Sequence, residues 1–153
     1  MALRVGGAAA DVVFCNASEG LAEKLRIIAA MKRKILAVGN CTFDHVSLTR
    51  LLREKIRAEV VAVHSHKQAV DALRGDQFAV VLVNRKLHAD HSDGVDLIRQ
   101  IKSDAQLAAT PVILLSNYRE SQQQAVEAGA EPGFGKDDLY RPEVWERLRA
   151  FLA

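Results

Sequence analysis

The 153-residue sequence is poor in features that mark a special environment. Its two cysteines, Cys15 and Cys41, lie far apart without metal-ligand spacing, which suits reduced thiols but leaves one disulfide open. No apolar run reaches the roughly 18 residues of a membrane span. The N-terminus is a poor secretory signal because Asp11 interrupts its short apolar stretch. These absences predict a cytoplasmic protein that does not contact membranes.

The charge is too evenly balanced for a nucleic-acid-binding protein. The chain has 21 Lys and Arg residues against 19 Asp and Glu, and the basic residues are spread along it. Hydrophobic residues make up 49% and charged residues 26%, which is typical of a globular domain large enough for a sizeable core. Neither a dinucleotide-binding Gly-x-Gly-x-x-Gly motif nor a Walker motif is present. We therefore expect no bound nucleic acid and find no nucleotide-binding signature.

Three apolar runs end at an asparagine. They are residues 34–40, 78–84 and 111–117, and each has the length and β-branched content of a strand buried on both faces. In an open parallel sheet, ligands bind outside the carboxyl ends of the strands. We therefore expect Asn40 and Asn84 to face the place where chemistry would occur.

From Lys34 onward, strand and helix patterns alternate. The predicted strands are 34–39, 59–64, 78–83, 110–115 and 132–135, and the predicted helices are 43–57, 67–74, 93–102, 119–128 and 142–152. Short connections between strand and helix predict a parallel sheet with helices on both faces. The fold class is therefore α/β, a doubly wound (βα)5 sandwich.

The segment before this pattern is expected to be an N-terminal extension, residues 1–31. Its Asn16–Glu19 stretch has capping-box-like spacing, and Leu21, Leu25 and Ile28 would share one face of a short helix ending near residue 30. Two interpretations stay open: Met31 is itself a start site, or the helix packs as part of the fold.

Residues 32–153 resemble the receiver domain of bacterial response regulators, the CheY-like relative of the flavodoxin fold. Three marks in order carry the resemblance: Asp93-Gly94 after the third strand, the fourth strand Thr110–Ser116, and Ala128-Gly129-Ala130 followed by Lys136. The match covers nearly four fifths of the chain. It implies a five-stranded sheet of order 2-1-3-4-5.

The resemblance also implies where a phosphorylation site would lie. In active receivers two acidic residues after strand one and an aspartate ending strand three bind Mg²⁺, and that aspartate accepts the phosphoryl group. These positions fall on Gly39, Asn40 and Asn84, while Ser116 and Lys136 match the two remaining site positions. Mg²⁺ prefers carboxylate ligands and an acyl phosphate requires a carboxylate nucleophile. We therefore expect no catalytic residue, no bound Mg²⁺ and no enzyme activity.

The sequence also departs from the receiver pattern at the positions that respond to phosphorylation. The proline that usually follows the lysine is Asp137, and the aromatic switch position falls on Gly133, next to Phe134. A degenerate pseudo-receiver is indicated. Removal of the clustered carboxylates removes their repulsion, and Asn40 and Asn84 are expected to hydrogen-bond to each other and to nearby backbone. Lys136 would pair with Asp44, Asp90 or Asp137, or turn to solvent.

A partner surface is expected on the face made by helix four, strand five and helix five. Its candidate residues are Phe134, Arg141, Trp145 and Arg149, because Trp and Arg are enriched at interface hot spots. The alternative is that Trp145 merely packs on its neighbours. The implied partners are a sensor kinase, a phosphotransferase, an output protein or a second copy of the chain.

The predicted function is a stand-alone pseudo-receiver that serves as a phosphorylation-independent interaction module in signal transduction. The alternative is a single-domain receiver that still takes part in a phosphorelay, through Asp90 or Asp93 as a displaced phosphoacceptor or by binding a kinase or a phosphotransferase. Asp93 is also suited to cap the third helix. A third class, an enzyme or small-molecule binder using the strand-end crevice, has only the fold in its favour.

His88 and His91 with Asp90 are expected to form a solvated loop rather than a metal site. Cys41 is expected to be a plain thiol.

Overall fold

The computed structural model describes residues 20–23 and 33–152, with the backbone alone at 42–44. Residues 20–23 are helical, and Leu21 is exposed. The rest of the predicted N-terminal helix, and Cys15, lie outside the described residues. The boundary after residue 31 stays a prediction. Residues Arg33–Ala153 form one compact unit, which is described below.

The unit is built on five parallel strands. These are β1 Lys34–Val38, β2 Glu59–Val63, β3 Val80–Asn84, β4 Val112–Leu115 and β5 Glu131–Phe134. Their order in the sheet is β2-β1-β3-β4-β5, which confirms the predicted 2-1-3-4-5 order and the doubly wound α/β fold. Almost every residue of β1, β3 and β4 is buried, as the apolar runs predict. The register between β4 and β5 shifts between Ile113 and Leu115.

Five α-helices cover the two faces of the sheet. They are α1 Thr42–Ile56, α2 His66–Gly75, α3 Gly94–Ser103, α4 Arg119–Glu127 and α5 Pro142–Leu152. The packing partners of Leu36, Val81 and Leu114 come from α2, α3 and α4. Those of Ile35, Leu82 and Ile113 come from α1 and α5. Successive side chains along each strand point to opposite faces of the sheet, and they pack into two separate cores, one on each side.

Local capping explains where two of the helices begin. The Asp93 carboxylate accepts a hydrogen bond from the Val95 N–H at 2.9 Å, which confirms Asp93 as the cap of α3. The Ser65 hydroxyl accepts one from the Gln68 N–H at 3.2 Å and caps α2. A 3₁₀-helix at Lys136–Tyr140, which the sequence patterns did not predict, joins β5 to α5. Within the described ranges, no helix has the length and apolarity needed to cross a membrane.

Candidate functional site

The carboxyl ends of β1, β3 and β4 meet at one edge of the sheet. Gly39 and Asn40 follow β1, Asn84 ends β3, and Ser116 follows β4. Lys136 begins the 3₁₀-helix that follows β5 and lines a cavity together with Asn84 and Ser116. The fold therefore places the five predicted pocket residues around one end of the sheet.

Gly39 stands at a position where a side chain does not fit. Its φ angle is +81°, a backbone conformation that residues with a Cβ rarely adopt. A Cβ built on it would lie 2.8 Å from the Leu87 Cα, a contact with backbone that cannot be relieved by a side-chain rotation. The Gly39 carbonyl oxygen also accepts a hydrogen bond from the His88 N–H at 3.0 Å. An aspartate at this position would require the β3–α3 loop to move.

Asn40 is buried, and no hydrogen-bond partner for its side chain is found among the residues that the structure describes. Its side chain is 2% exposed, and neither Nδ2 nor Oδ1 is paired. A neighbouring cavity of about 260 Å³ is lined by Asn40, Lys136 and the leucines Leu48, Leu51 and Leu115, among others. The predicted hydrogen bond between Asn40 and Asn84 is absent, and that prediction is wrong. An unpaired amide buried among apolar side chains lowers stability.

Asn84 uses its amide group differently, which explains why it does not pair with Asn40. Its Nδ2 donates to the Lys86 carbonyl oxygen at 2.8 Å and to the Gly39 carbonyl oxygen at 3.3 Å. Carbonyl oxygens only accept hydrogen bonds, so these contacts determine which end of the amide is nitrogen. Asn84 thereby connects the end of β3 to the end of β1 and to the loop that follows β3. These bonds confirm the prediction that Asn84 hydrogen-bonds to nearby backbone.

Ser116 lies at the expected switch position and is 7% exposed. Its Oγ accepts a hydrogen bond from the Tyr118 N–H at 3.1 Å, and its own N–H donates to the Phe134 carbonyl oxygen at 3.1 Å. The hydroxyl therefore supports the turn before α4. Lys136 is half-buried, and its pairing with Asp44, Asp90 or Asp137 stays a prediction.

Gln122, on the inner face of α4, was not among the predicted site residues. Its Nε2 donates to the carbonyl oxygens of Leu114 and Ser116, each at 2.9 Å, and to that of Phe134 at 3.3 Å. Any Cβ at Gly133 would collide with the Gln122 Oε1 and the Leu114 carbonyl oxygen. The space beside the expected aromatic position is thus filled by the Gln122 amide. Nothing in the sequence distinguishes Gln122 from Gln123 and Gln124.

The residues at the expected metal site do not fit Mg²⁺. Gly39 offers no side-chain ligand, and Asn40 and Asn84 offer neutral carboxamides in place of carboxylates. The two candidate displaced acids have structural contacts of their own. Asp90 accepts hydrogen bonds from the His66 N–H at 3.0 Å and from the Ser92 hydroxyl at 2.6 Å, and Asp93 caps α3.

These contacts alter the acidity of Asp90. The Ser92 hydroxyl, followed by the backbone N–H groups of His66 and Ser92, lowers the pKa of the Asp90 carboxyl to about 2. His88 and His91 on the same loop are exposed. Among the residues that the structure describes, no three His, Cys, Asp or Glu side chains are grouped to hold a metal ion.

The predicted partner surface must be corrected at two of its four residues. Phe134 is 5% exposed and Trp145 3% exposed, so both belong to the core between the sheet, α1 and α5. The Trp145 indole N–H donates to the Leu139 carbonyl oxygen at 2.8 Å, which satisfies its polar group inside that core. Arg141 and Arg149 are exposed, and their role in a partner surface stays a prediction.

Comparisons of the sequence and of the structure with known proteins both find response regulators. No protein-family model matches the chain. The two-component response regulator ORR3 of Oryza sativa subsp. indica is 29% identical over 99 residues, which are 63% of this chain and 74% of that protein.

Many solved structures share the fold, among them two from response regulators. One is the signal receiver domain of a DNA-binding response regulator from Colwellia psychrerythraea 34H, with a TM-score of 0.68 and 22% identity over 78% of this chain and 98% of that one. The other is a response regulator from Thermotoga maritima, with a TM-score of 0.63 and 22% identity over 79% of this chain and 98% of that one. The chain is therefore similar in sequence to two-component response regulators, and it has the CheY-like fold of their receiver domains.

Proposed function

We propose that this chain is a receiver-type protein of two-component signalling that works as a phosphorylation-independent interaction module. It would bind a sensor kinase, a phosphotransferase or an output protein, in the cytoplasm, without Mg²⁺ and without catalysing a reaction. Its similarity to response regulators, ORR3 among them, supports the signalling context.

One observation carries the proposal: the carboxamide of Asn84 ends β3. An acyl phosphate forms only on a carboxylate, and an amide nitrogen or oxygen is a very weak nucleophile. The Asn84 Nδ2 is in addition hydrogen-bonded to the Lys86 and Gly39 carbonyl oxygens. Asn84 therefore serves as a structural connection between the strand ends.

A second set of contacts supports a single conformation of the switch region. Gln122 joins α4 to the ends of β4 and β5 through three carbonyl oxygens. The Ser116 hydroxyl accepts from the Tyr118 N–H and supports the turn between β4 and α4. An interaction surface formed by these elements would be present without any modification.

Intact-mass spectrometry after incubation with acetyl phosphate and Mg²⁺ tests the proposal. The unsubstituted chain should gain no phosphoryl group. The double variant Asn40→Asp/Asn84→Asp is the matched positive control, because it restores two acids while leaving the crowded Gly39 unchanged. This variant should bind Mg²⁺ and acquire one phosphoryl group at position 84. A phosphoryl adduct on the unsubstituted chain, mapped to Asp90 or Asp93, would contradict the proposal and favour a phosphorelay receiver.

A further inference from the structure

The cavity of about 260 Å³ beside Asn40, the Asn40 cavity, has four leucines in its lining. Leu48 and Leu51 come from α1, Leu115 from β4 and Leu139 from the 3₁₀-helix. An apolar cavity of about 150 Å³ is large enough to hold benzene, whereas drug-sized ligands occupy roughly 300 Å³ or more. The Asn40 cavity therefore has room for a molecule with one ring and a small substituent.

The fold holds the walls of the Asn40 cavity in place. Leu48 and Leu51 are three residues apart on α1 and therefore share one face of that helix. Leu139 is buried in the core beside α1 and α5, and its carbonyl oxygen accepts a hydrogen bond from the Trp145 indole N–H at 2.8 Å. A site whose walls are ordered before the ligand arrives loses little side-chain freedom on binding. The cavity is thus suited to hold a small ligand in one orientation.

The charges in the lining balance, which favours a neutral ligand. Among the described residues that line the cavity, Lys136 is basic and its neighbour Asp137 is acidic. Tyr140 is 83% exposed and Asp137 is exposed, whereas Asn40 is buried, so a ligand that enters from solvent reaches the Asn40 amide last. A charge carried to that buried end would lose its hydration beside a neutral amide and leucines, at a large cost in free energy.

The Asn40 amide specifies the chemistry of that ligand. It presents N–H donors beside a C=O acceptor, and neither atom is paired with a described residue although the side chain is only 2% exposed. Nearly all buried polar groups in folded proteins have hydrogen-bond partners, so an exception requires a physical reason. A group that carries an acceptor beside a donor, such as a primary carboxamide or a lactam, would satisfy both atoms with two hydrogen bonds.

We propose that the Asn40 cavity binds a small neutral molecule that combines an apolar ring with an amide group, as in a lactam or an aromatic carboxamide. The ligand N–H donates to the Asn40 Oδ1, the ligand carbonyl oxygen accepts from the Asn40 Nδ2, and the ring packs among the leucines. Binding recovers the free energy that the unpaired amide costs the unliganded chain. The site needs neither Mg²⁺ nor phosphorylation, so it goes beyond the proposed function and does not depend on it.

Nuclear magnetic resonance titration of the full chain with benzamide tests the proposal. Amide resonances of residues 47–51 and 139–140 should shift with saturation. Acetophenone is the matched ligand, because a methyl group replaces the amide nitrogen while the ring and the carbonyl group are kept. Asn40→Leu should reduce the preference for benzamide over acetophenone by about 3- to 10-fold, which corresponds to losing one hydrogen bond. Both ligands have the same shape, so any space that the leucine takes up cancels in this ratio.

A control variant and a charged ligand complete the experiment. Gln123→Leu, which replaces an amide on the exposed side of α4, should retain the preference for benzamide. Benzoate should bind more weakly than benzamide, because it is charged and has no N–H donor. Absence of saturation, shifts confined to residues outside the cavity lining, benzoate binding as tight as that of benzamide, or an undiminished preference in Asn40→Leu would each overturn the inference.

Discussion

Two asparagines at neighbouring strand ends have opposite effects on stability. Asn84 has both amide hydrogens paired with backbone carbonyl oxygens. Asn40 is 2% exposed, neither of its amide atoms is paired with a described residue, and it borders a cavity lined by leucines and by polar side chains. A buried polar group without a partner costs the free energy of removing it from water, whereas a paired one recovers that cost. The same residue type is therefore stabilising at one strand end and destabilising at the other.

The same substitution at both positions should change stability in opposite directions. Asn40→Leu should raise the free energy of unfolding by about 1 kcal/mol, because an unpaired amide is replaced by an apolar group beside space that can receive it. Asn84→Leu should lower it by about 1–3 kcal/mol, because the Lys86 carbonyl oxygen loses its side-chain donor and the Gly39 carbonyl oxygen keeps only the His88 N–H. Urea denaturation measures both. Destabilisation by Asn40→Leu that matches Asn84→Leu would show that Asn40 has a partner in solution.

Asp90 should make stability depend on pH in the acid range. Its folded-state pKa is lowered from 3.8 to about 2, chiefly by the Ser92 hydroxyl. A lowered carboxyl pKa contributes stability that is complete above the unfolded-state value and is lost as the pH falls through the folded-state value. Between pH 4 and pH 2, approximately, Asp90→Asn should therefore lose less stability than the unsubstituted chain. Asp71→Asn, on exposed α2 surface, is the control in a urea series at each pH, and an equal acid loss in both variants would refute the assignment.

At the scale of elements, α4 is attached to the sheet by a polar side chain rather than by a large apolar stripe. Ala125 is the buried residue of this helix. The Gln122 amide reaches three carbonyl oxygens at the ends of β4 and β5. The position of α4 consequently depends on hydrogen bonds that are partly buried.

Gln122→Leu should detach α4 from these strand ends. Loss of the amide removes a donor from the Leu114 and Ser116 carbonyl oxygens, whereas the Phe134 carbonyl oxygen keeps the Ser116 N–H. We expect a decrease of about 1–3 kcal/mol in the free energy of unfolding. Gln123→Leu, on the exposed side of the same helix, should have little effect. Hydrogen exchange at residues 114–116 and 134 should quicken in the first variant alone. Equal stability of the two variants would show that the Gln122 contacts contribute nothing.

The strongly patterned elements were predictable, and the polar connections between them were not. The apolar runs ending at Asn40, Asn84 and Asn117 are central strands, because burial on both faces requires continuous apolar sequence. The Lys136–Tyr140 3₁₀-helix was missed because five residues are too few to show a period. The Arg85–Tyr118 contact joins two loops that are distant in sequence, so no local pattern indicates it. Phe134 and Trp145 were misassigned because residue type alone does not distinguish an interface residue from a core residue.

At the scale of the whole molecule, the described residues that form the two cores lie within the unit that begins at Arg33. A chain lacking residues 1–32 should therefore unfold cooperatively, with a midpoint within about 2 °C of the full chain, a shift that corresponds to less than about 0.5 kcal/mol. Calorimetry of the two chains measures this. Loss of cooperativity in the shorter chain would show that the first 32 residues belong to the folding unit and would contradict the predicted domain boundary.

The strand β5 determines how a second copy of the chain could approach this molecule. It forms one margin of the sheet, and its first three residues are Glu131, Pro132 and Gly133. A charge, a residue without an N–H and a weak strand former discourage another strand from adding to that margin. The Arg147 guanidinium also donates a hydrogen bond to the Pro132 carbonyl oxygen, so that this acceptor is already used. Self-association on this side would therefore have to proceed through side chains of α4 and α5, because this margin of the sheet is guarded against the addition of a further strand.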